Sequence, residues 1–76
     1  MNDGRRKLLT EITHKLSVIA VDLDGIREAE EEYFDTMPEN LQSSAKGERA
    51  QEAAEQLRTA VDDLDAVIEN INSAME

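Results

Sequence analysis

Two heptad-spaced arms of similar length flank a single proline, and no other sequence feature constrains the fold as strongly. Before Pro38, the residues Leu9, Ile12, Leu16, Ile19, Leu23, Ile26, Glu30, Tyr33 and Met37 alternate spacings of three and four. After it, Gly47, Ala50, Ala54, Leu57, Val61, Leu64, Ile68, Ile71 and Met75 do the same. A strand alternates every second residue, and neither arm does so. The pattern predicts two long helices, over about 4–35 and about 44–75, joined by a turn over about 36–43. A connection this short makes the helices antiparallel neighbours, each about 45 Å long if it has about 30 residues. The expected fold is therefore all-α: one domain, 1–76, forming an antiparallel, coiled-coil-like helical hairpin.

The joint reads "DTMPENLQSS". Met37 is biased away from helix by the proline that follows it. Thr36 and Glu39 have capping-box spacing, and Asn40 with the Ser43–Ser44 pair offers caps for the second helix. Folding back at Pro38 sets Tyr33 and Phe34 near Gly47, Ala50 and Ala54, so large residues meet small ones at the tip. Leu9 and Ile12 then meet Ile71 and Met75 at the open end.

Two helices do not use up the apolar residues. Ala53, Ala60, Val67 and Ala74 recur every seven residues beside the second seam, and Val18 and Val21 lie off the first. An apolar face three positions wide per heptad exceeds what one partner helix covers. With 76 residues and no cysteine, disulfides cannot compensate for a thin core. These residues predict self-association of the hairpin, as a homodimeric four-helix bundle or a higher oligomer.

Composition narrows the function. Eighteen acidic residues against eight basic give a net charge of −10. That charge repels phosphate backbones and anionic lipid, so direct contact with nucleic acid or membrane is not expected. "RRKLLTEITHKL" interrupts its apolar part with Glu11, His14 and Lys15, unlike a signal peptide. The absence of cysteine favours a cytoplasmic setting. A basic protein is the natural electrostatic partner.

Several motifs invite chemistry and do not sustain it. "VIAVDLDGI" resembles the Asp-x-Asp opening of haloacid-dehalogenase-like phosphatases, whose first Asp is a nucleophile. Here Ile19, Leu23 and Ile26 carry the helical phase straight through it, and the larger α/β domain is missing. As a calcium loop the same letters place Ala20 where the first oxygen ligand belongs. Glu11-x-x-His14 has the spacing of di-iron bundle ligands, but both residues fall on outward heptad positions. Outward carboxylates likewise do not hold a buried metal pair, which separates the chain from acid-rich all-α pyrophosphohydrolases. No catalytic, cofactor-binding or metal-ligating residues are assigned. The expected chain is not an enzyme and needs no cofactor.

The ordered acids are the remaining candidates. Glu48, Glu55, Asp62, Glu69 and Glu76 repeat every seven residues, and Asp24, Glu28, Glu31 and Asp35 form a second ridge. Such ridges keep a protein soluble, or they occupy a basic groove that another protein reserves for nucleic acid. Tyr33 and Phe34, the only aromatics, seal the tip or anchor a partner. Glu30, alone among seam positions in being acidic, acts as a register pin reached by Arg49 or Arg27, or as a ligand contact. Arg5, Arg6 and Lys7 are placed to pair with Glu69 and Glu76.

The segment "FDTMPENLQSSAKGERAQEAAE", with "RRKLLTEI" before it and "LRTAVDDLDAVIENI" after it, resembles short uncharacterised acidic proteins of phages and prophages. These carry an Asp-x-Met-Pro-Glu-Asn-Leu-Gln turn between acidic helices. The resemblance implies a phage-encoded accessory protein acting in a bacterial host cell, in the manner of an inhibitor of host defence or nucleic-acid-handling proteins. It brings no functional residues. An alternative expectation is an oligomer that sequesters a small ligand, such as a nucleotide, between hairpins.

Overall fold

The computed structural model describes residues 1–76. Helix α1 spans Asp3–Asp35, a short α2 spans Glu39–Gln42, and α3 spans Ala45–Met75. The two long helices fall within a residue or so of the expected bounds, and α2 occupies the middle of the turn. No helix is long and apolar enough to cross a membrane.

Local chemistry sets each boundary. Asn2 opens α1 by accepting the Arg5 N–H at 2.8 Å. The helix ends before the Met37–Pro38 step, where Thr36 N–H donates to Glu32 O at 2.9 Å. The Thr36–Glu39 capping box does not form. Thr36 instead closes α1, its hydroxyl donating to Tyr33 O at 3.3 Å, and Pro38 starts α2 with no side-chain cap. Proline already holds φ at −56°, so the short turn starts without one. Ser44 caps α3: its hydroxyl accepts from Gly47 N–H at 3.4 Å and donates to the Leu41 carbonyl. Gln42 Nε2 donates to Phe34 O at 3.1 Å, satisfying a carbonyl at the end of α1.

Gly47 is where the tip is tightest. A Cβ there would lie 2.5 Å from the Leu41 carbonyl oxygen and 2.6 Å from the Gln42 carbonyl carbon. Backbone cannot yield as a side chain does, so the missing Cβ is what lets α3 leave α2 at this angle. Gly25, in the middle of α1, has nothing within 4 Å of its own Cβ position and serves no such purpose.

The hairpin is long and thin, 58 × 15 × 12 Å. Its radius of gyration is 17.3 Å, against about 11 Å for a compact domain of this length. Only three apolar residues are buried, Ala20, Ala50 and Ala54, and no side chain is fully enclosed. Alanines at the crossing allow close approach but bury little area.

One sequence expectation is corrected here. On α3 the anticipated seam holds, since every member from Gly47 to Met75 is buried or half-buried. On α1 only alternate members, Leu9, Leu16, Leu23, Glu30 and Met37, are shielded. Ile12, Ile19, Ile26 and Tyr33 are exposed, Ile19 by 52%. Thr13, Ala20, Arg27 and Phe34 turn towards α3 in their place. At about 100° per residue, this rotates the contact stripe of α1 by roughly 50° from the best apolar stripe. The heptad is real, but part of it points away from α3.

Candidate interaction faces

Arg27 is the charged member of the inner stripe. It is a charged residue 9% exposed, lying in the inter-helix seam. Its Nε donates to Asp24 Oδ1 at 2.6 Å and its Nη1 to Glu31 Oε2 at 2.7 Å, with Glu28 at 3.6 Å. Arg58 of α3 then donates to Glu31 Oε1 at 2.5 Å, tying the two helices together. The charge can sit in the seam because every polar side-chain atom buried there has a hydrogen-bond partner. The Arg27 hydrogen bond is the main cause that lowers the Asp24 carboxyl below its ordinary range. For Glu31 the Arg58 bond leads and the Arg27 bond adds to it. Arg27 itself is raised still further above its usual value.

Asp24-x-x-Arg27-x-x-x-Glu31 is visible in the sequence as i,i+3 and i,i+4 spacing, and that signal would have found the cluster. Reading Arg27 as the partner of Glu30 missed it. Glu30 makes no ion pair; it shares a recess with Tyr33, Lys46, Arg49 and Ala50. The Arg5–Lys7 pairing with Glu69 and Glu76 is also absent. Arg6 donates instead to Met75 O at 3.0 Å and pairs with Asp3 at 3.2 Å.

These contacts sort the surface into two sides. Glu31–Arg58 marks one side, where Ser17, Asp24, Val61 and Asp65 also meet across the helices. The seven-residue columns adjoining it hold Glu28 and Asp35 on α1 and Glu48, Glu55, Asp62, Glu69 and Glu76 on α3, all exposed. The two acidic ridges foreseen from sequence therefore share one broad face. Asp24 and Glu31 are partly spent on the arginines and Glu28 lies 3.6 Å from Arg27, while Asp35 and the five acids of the α3 column are free of ion pairs.

Tyr33 with Lys46 marks the opposite side, the ammonium 5.9 Å from the ring centroid. Ile12, Ile19 and Ile26 lie in the column of Tyr33, and Ala53, Ala60, Val67 and Ala74 in the column of Lys46. Between them run the half-buried Leu9, Leu16, Leu23, Leu57, Leu64 and Ile71. The result is a continuous apolar face with nothing over it.

The self-association candidates thus divide. Ala53, Ala60, Val67 and Ala74 belong to this apolar face. Val18 and Val21, exposed by 50% and 71%, lie on the outer side of α1 with His14 and Asp22 and do not join it. The two aromatics divide as well: Tyr33 opens onto the apolar face. Phe34 is half-buried towards α3, beside Ala54 and Arg58. No group of three or more His, Cys, Asp or Glu side chains converges as metal ligands.

Fold and surface together define the class: an elongated antiparallel helical hairpin with one apolar and one acidic long face. No protein-family model matches the chain, and no curated protein or solved structure shows significant similarity to it.

Proposed function

We propose that the chain is a non-enzymatic accessory protein of phage type that works by protein–protein contact. In this reading it pairs through its apolar face into a four-helix bundle. Its acidic faces then point outward, towards a basic protein such as a host defence or nucleic-acid-handling factor in the bacterial cytoplasm. The observation that carries the reading is the segregation of the surface. Acids scattered for solubility alone have no reason to gather opposite an uncovered apolar face. The likeness of the Met37–Pro38 turn and its flanks to phage and prophage proteins supports the biological setting.

The test compares the native chain with a Glu48→Gln, Glu55→Gln, Asp62→Asn variant as baits in bacterial lysate. A basic nucleic-acid-binding protein held by the native chain, released at about 0.5 M salt and missed by the variant is the expected result. Capture that ignores both salt and neutralisation counts against an electrostatic decoy. One observation favours the alternative, a ligand-sequestering oligomer: the recess at the tip gathers Lys46, Arg49 and the Tyr33 ring. A thermal shift across a nucleotide panel separates the two readings.

A further inference from the structure

The rotation of α1 leaves its strongest apolar stripe, Leu9–Ile12–Leu16–Ile19–Leu23–Ile26, aimed between α3 and open solvent. That diagonal is where the axis of a four-helix bundle would run. On α3 the matching diagonal is Ala50, Ala53, Leu57, Ala60, Leu64, Val67, Ile71 and Ala74. Each long helix thus uses one column against its partner in the hairpin and keeps another for a neighbour outside it.

Surface area sets the size of that neighbour. The hairpin exposes 5566 Å², whereas a compact monomer of 8.5 kDa exposes about 4650 Å². That surplus reflects the thin shape, and a face running the 58 Å length of a hairpin 15 Å wide has room for the roughly 800 Å² that each partner buries in a standard interface. Charge sets how a second copy of net charge −10 can approach. Apolar face against apolar face sends both acidic faces outward, as far apart as the molecule permits.

Resting on the pairing proposed above, we infer its arrangement: the two hairpins lie with tips together, α1 of each over α3 of the other. Side-chain size favours this. The large column Ile12, Ile19, Ile26 and Tyr33 then faces the small column Ala53, Ala60, Val67 and Ala74 of the second copy, and large fills small along the whole length. In the reversed arrangement, tip against open end, isoleucines oppose isoleucines and alanines oppose alanines. Charge agrees with size. With tips together, the exposed Lys15 on the rim of α1 comes within about one helical turn of Asp63 on the second copy. Arg49 likewise reaches the level of Glu32. Reversal leaves Arg49 opposite Asn70, with no carboxylate to meet.

The absence of native cysteine makes the arrangement directly readable. Ile19→Cys and Ala60→Cys are made in separate chains, and each is oxidised alone and after mixing. Ile19 is exposed and Ala60 half-buried in the hairpin, and cysteine is small enough for either position. Cross-linked dimer in the mixture, with little in either variant alone, is the expected result. Cross-linking of Ala60→Cys with itself would mean the reversed arrangement and overturn this inference while leaving the pairing intact. A dimeric mass with no cross-link in any sample also overturns it. A native chain that stays monomeric removes the pairing itself. Independently, Lys15→Glu should weaken association about tenfold, and adding Asp63→Lys should restore it; no rescue contradicts the tips-together register.

Discussion

The two long faces of this hairpin are built from the same two helices and solve opposite problems. On the acidic side, α1 and α3 are tied by Asp24, Arg27, Glu31 and Arg58, and the remaining carboxylates stand in water. On the apolar side no ion pair ties them, only Lys46 over the Tyr33 ring, and leucines, isoleucines and alanines are left exposed or half-covered. The acidic side closes its contacts within one chain, with every buried side-chain polar atom satisfied. The apolar side does not. The difference teaches that the charged contacts close within one hairpin, whereas much of the apolar surface is left exposed by it.

The sharpest way to break this contrast is one charge on each side of α1. Ile19→Asp, on the apolar face, should weaken self-association more than about 100-fold, or roughly 3 kcal/mol. Val21→Asp, more exposed than Ile19 but on the other side, should leave it unchanged. Sedimentation equilibrium over a concentration series checks both, and equal effects from the two would erase the distinction between faces.

Gly47→Ala comes next. The added Cβ collides with the backbone of Leu41 and Gln42, so unfolding should become easier by about 1–3 kcal/mol in urea melts. Because this strain lies at the tip and on neither face, any dimer that persists should keep its arrangement. Gly25→Ala acts in the other direction. With nothing within 4 Å of the new methyl, it should stabilise α1 by about 1 kcal/mol without altering the apolar face. A large gain in association would show that helix stability, rather than the face, limits pairing.

The smallest effect belongs to the charged side. Asp24 and Glu31 have carboxyls held below their ordinary values of 3.8 and 4.5. A depressed folded-state value means that their contribution is fully present above the unfolded values and is lost as pH falls through the folded ones. An Asp24→Asn, Glu31→Gln variant should therefore melt below the native chain at pH 7, and the gap should close as the pH is taken under about 4. Solvent screens these partly exposed pairs, so the gap is modest at any pH.

Much of this was legible in the sequence, for a physical reason that also marks its limit. Periodicity fixes which residues share a stripe of helix but not what that stripe faces. The α3 heptad pointed at α1, as expected. The α1 heptad was equally clear, yet Ile12, Ile19 and Ile26 belong to the open face, and Thr13 and Arg27 took the inner positions that polar residues rarely hold. Arg27 is tolerated there because Asp24 and Glu31 take its guanidinium, with Arg58 also on Glu31, and Thr13 because its hydroxyl donates to Thr10 O at 3.0 Å. The acidic columns were visible one by one. That they converge on a single side required the antiparallel crossing, and that Val18 and Val21 stand apart from the alanine column required the observed rotation.

The central claim is that the apolar face is an interface. Sedimentation equilibrium of the native chain at low micromolar concentration tests it most directly. The account predicts the mass of two 8.5 kDa chains, returning to that of one in Ile19→Asp. A stable, helical native chain that sediments at the mass of one, with Ile12, Ile19 and Ile26 in water, would contradict it.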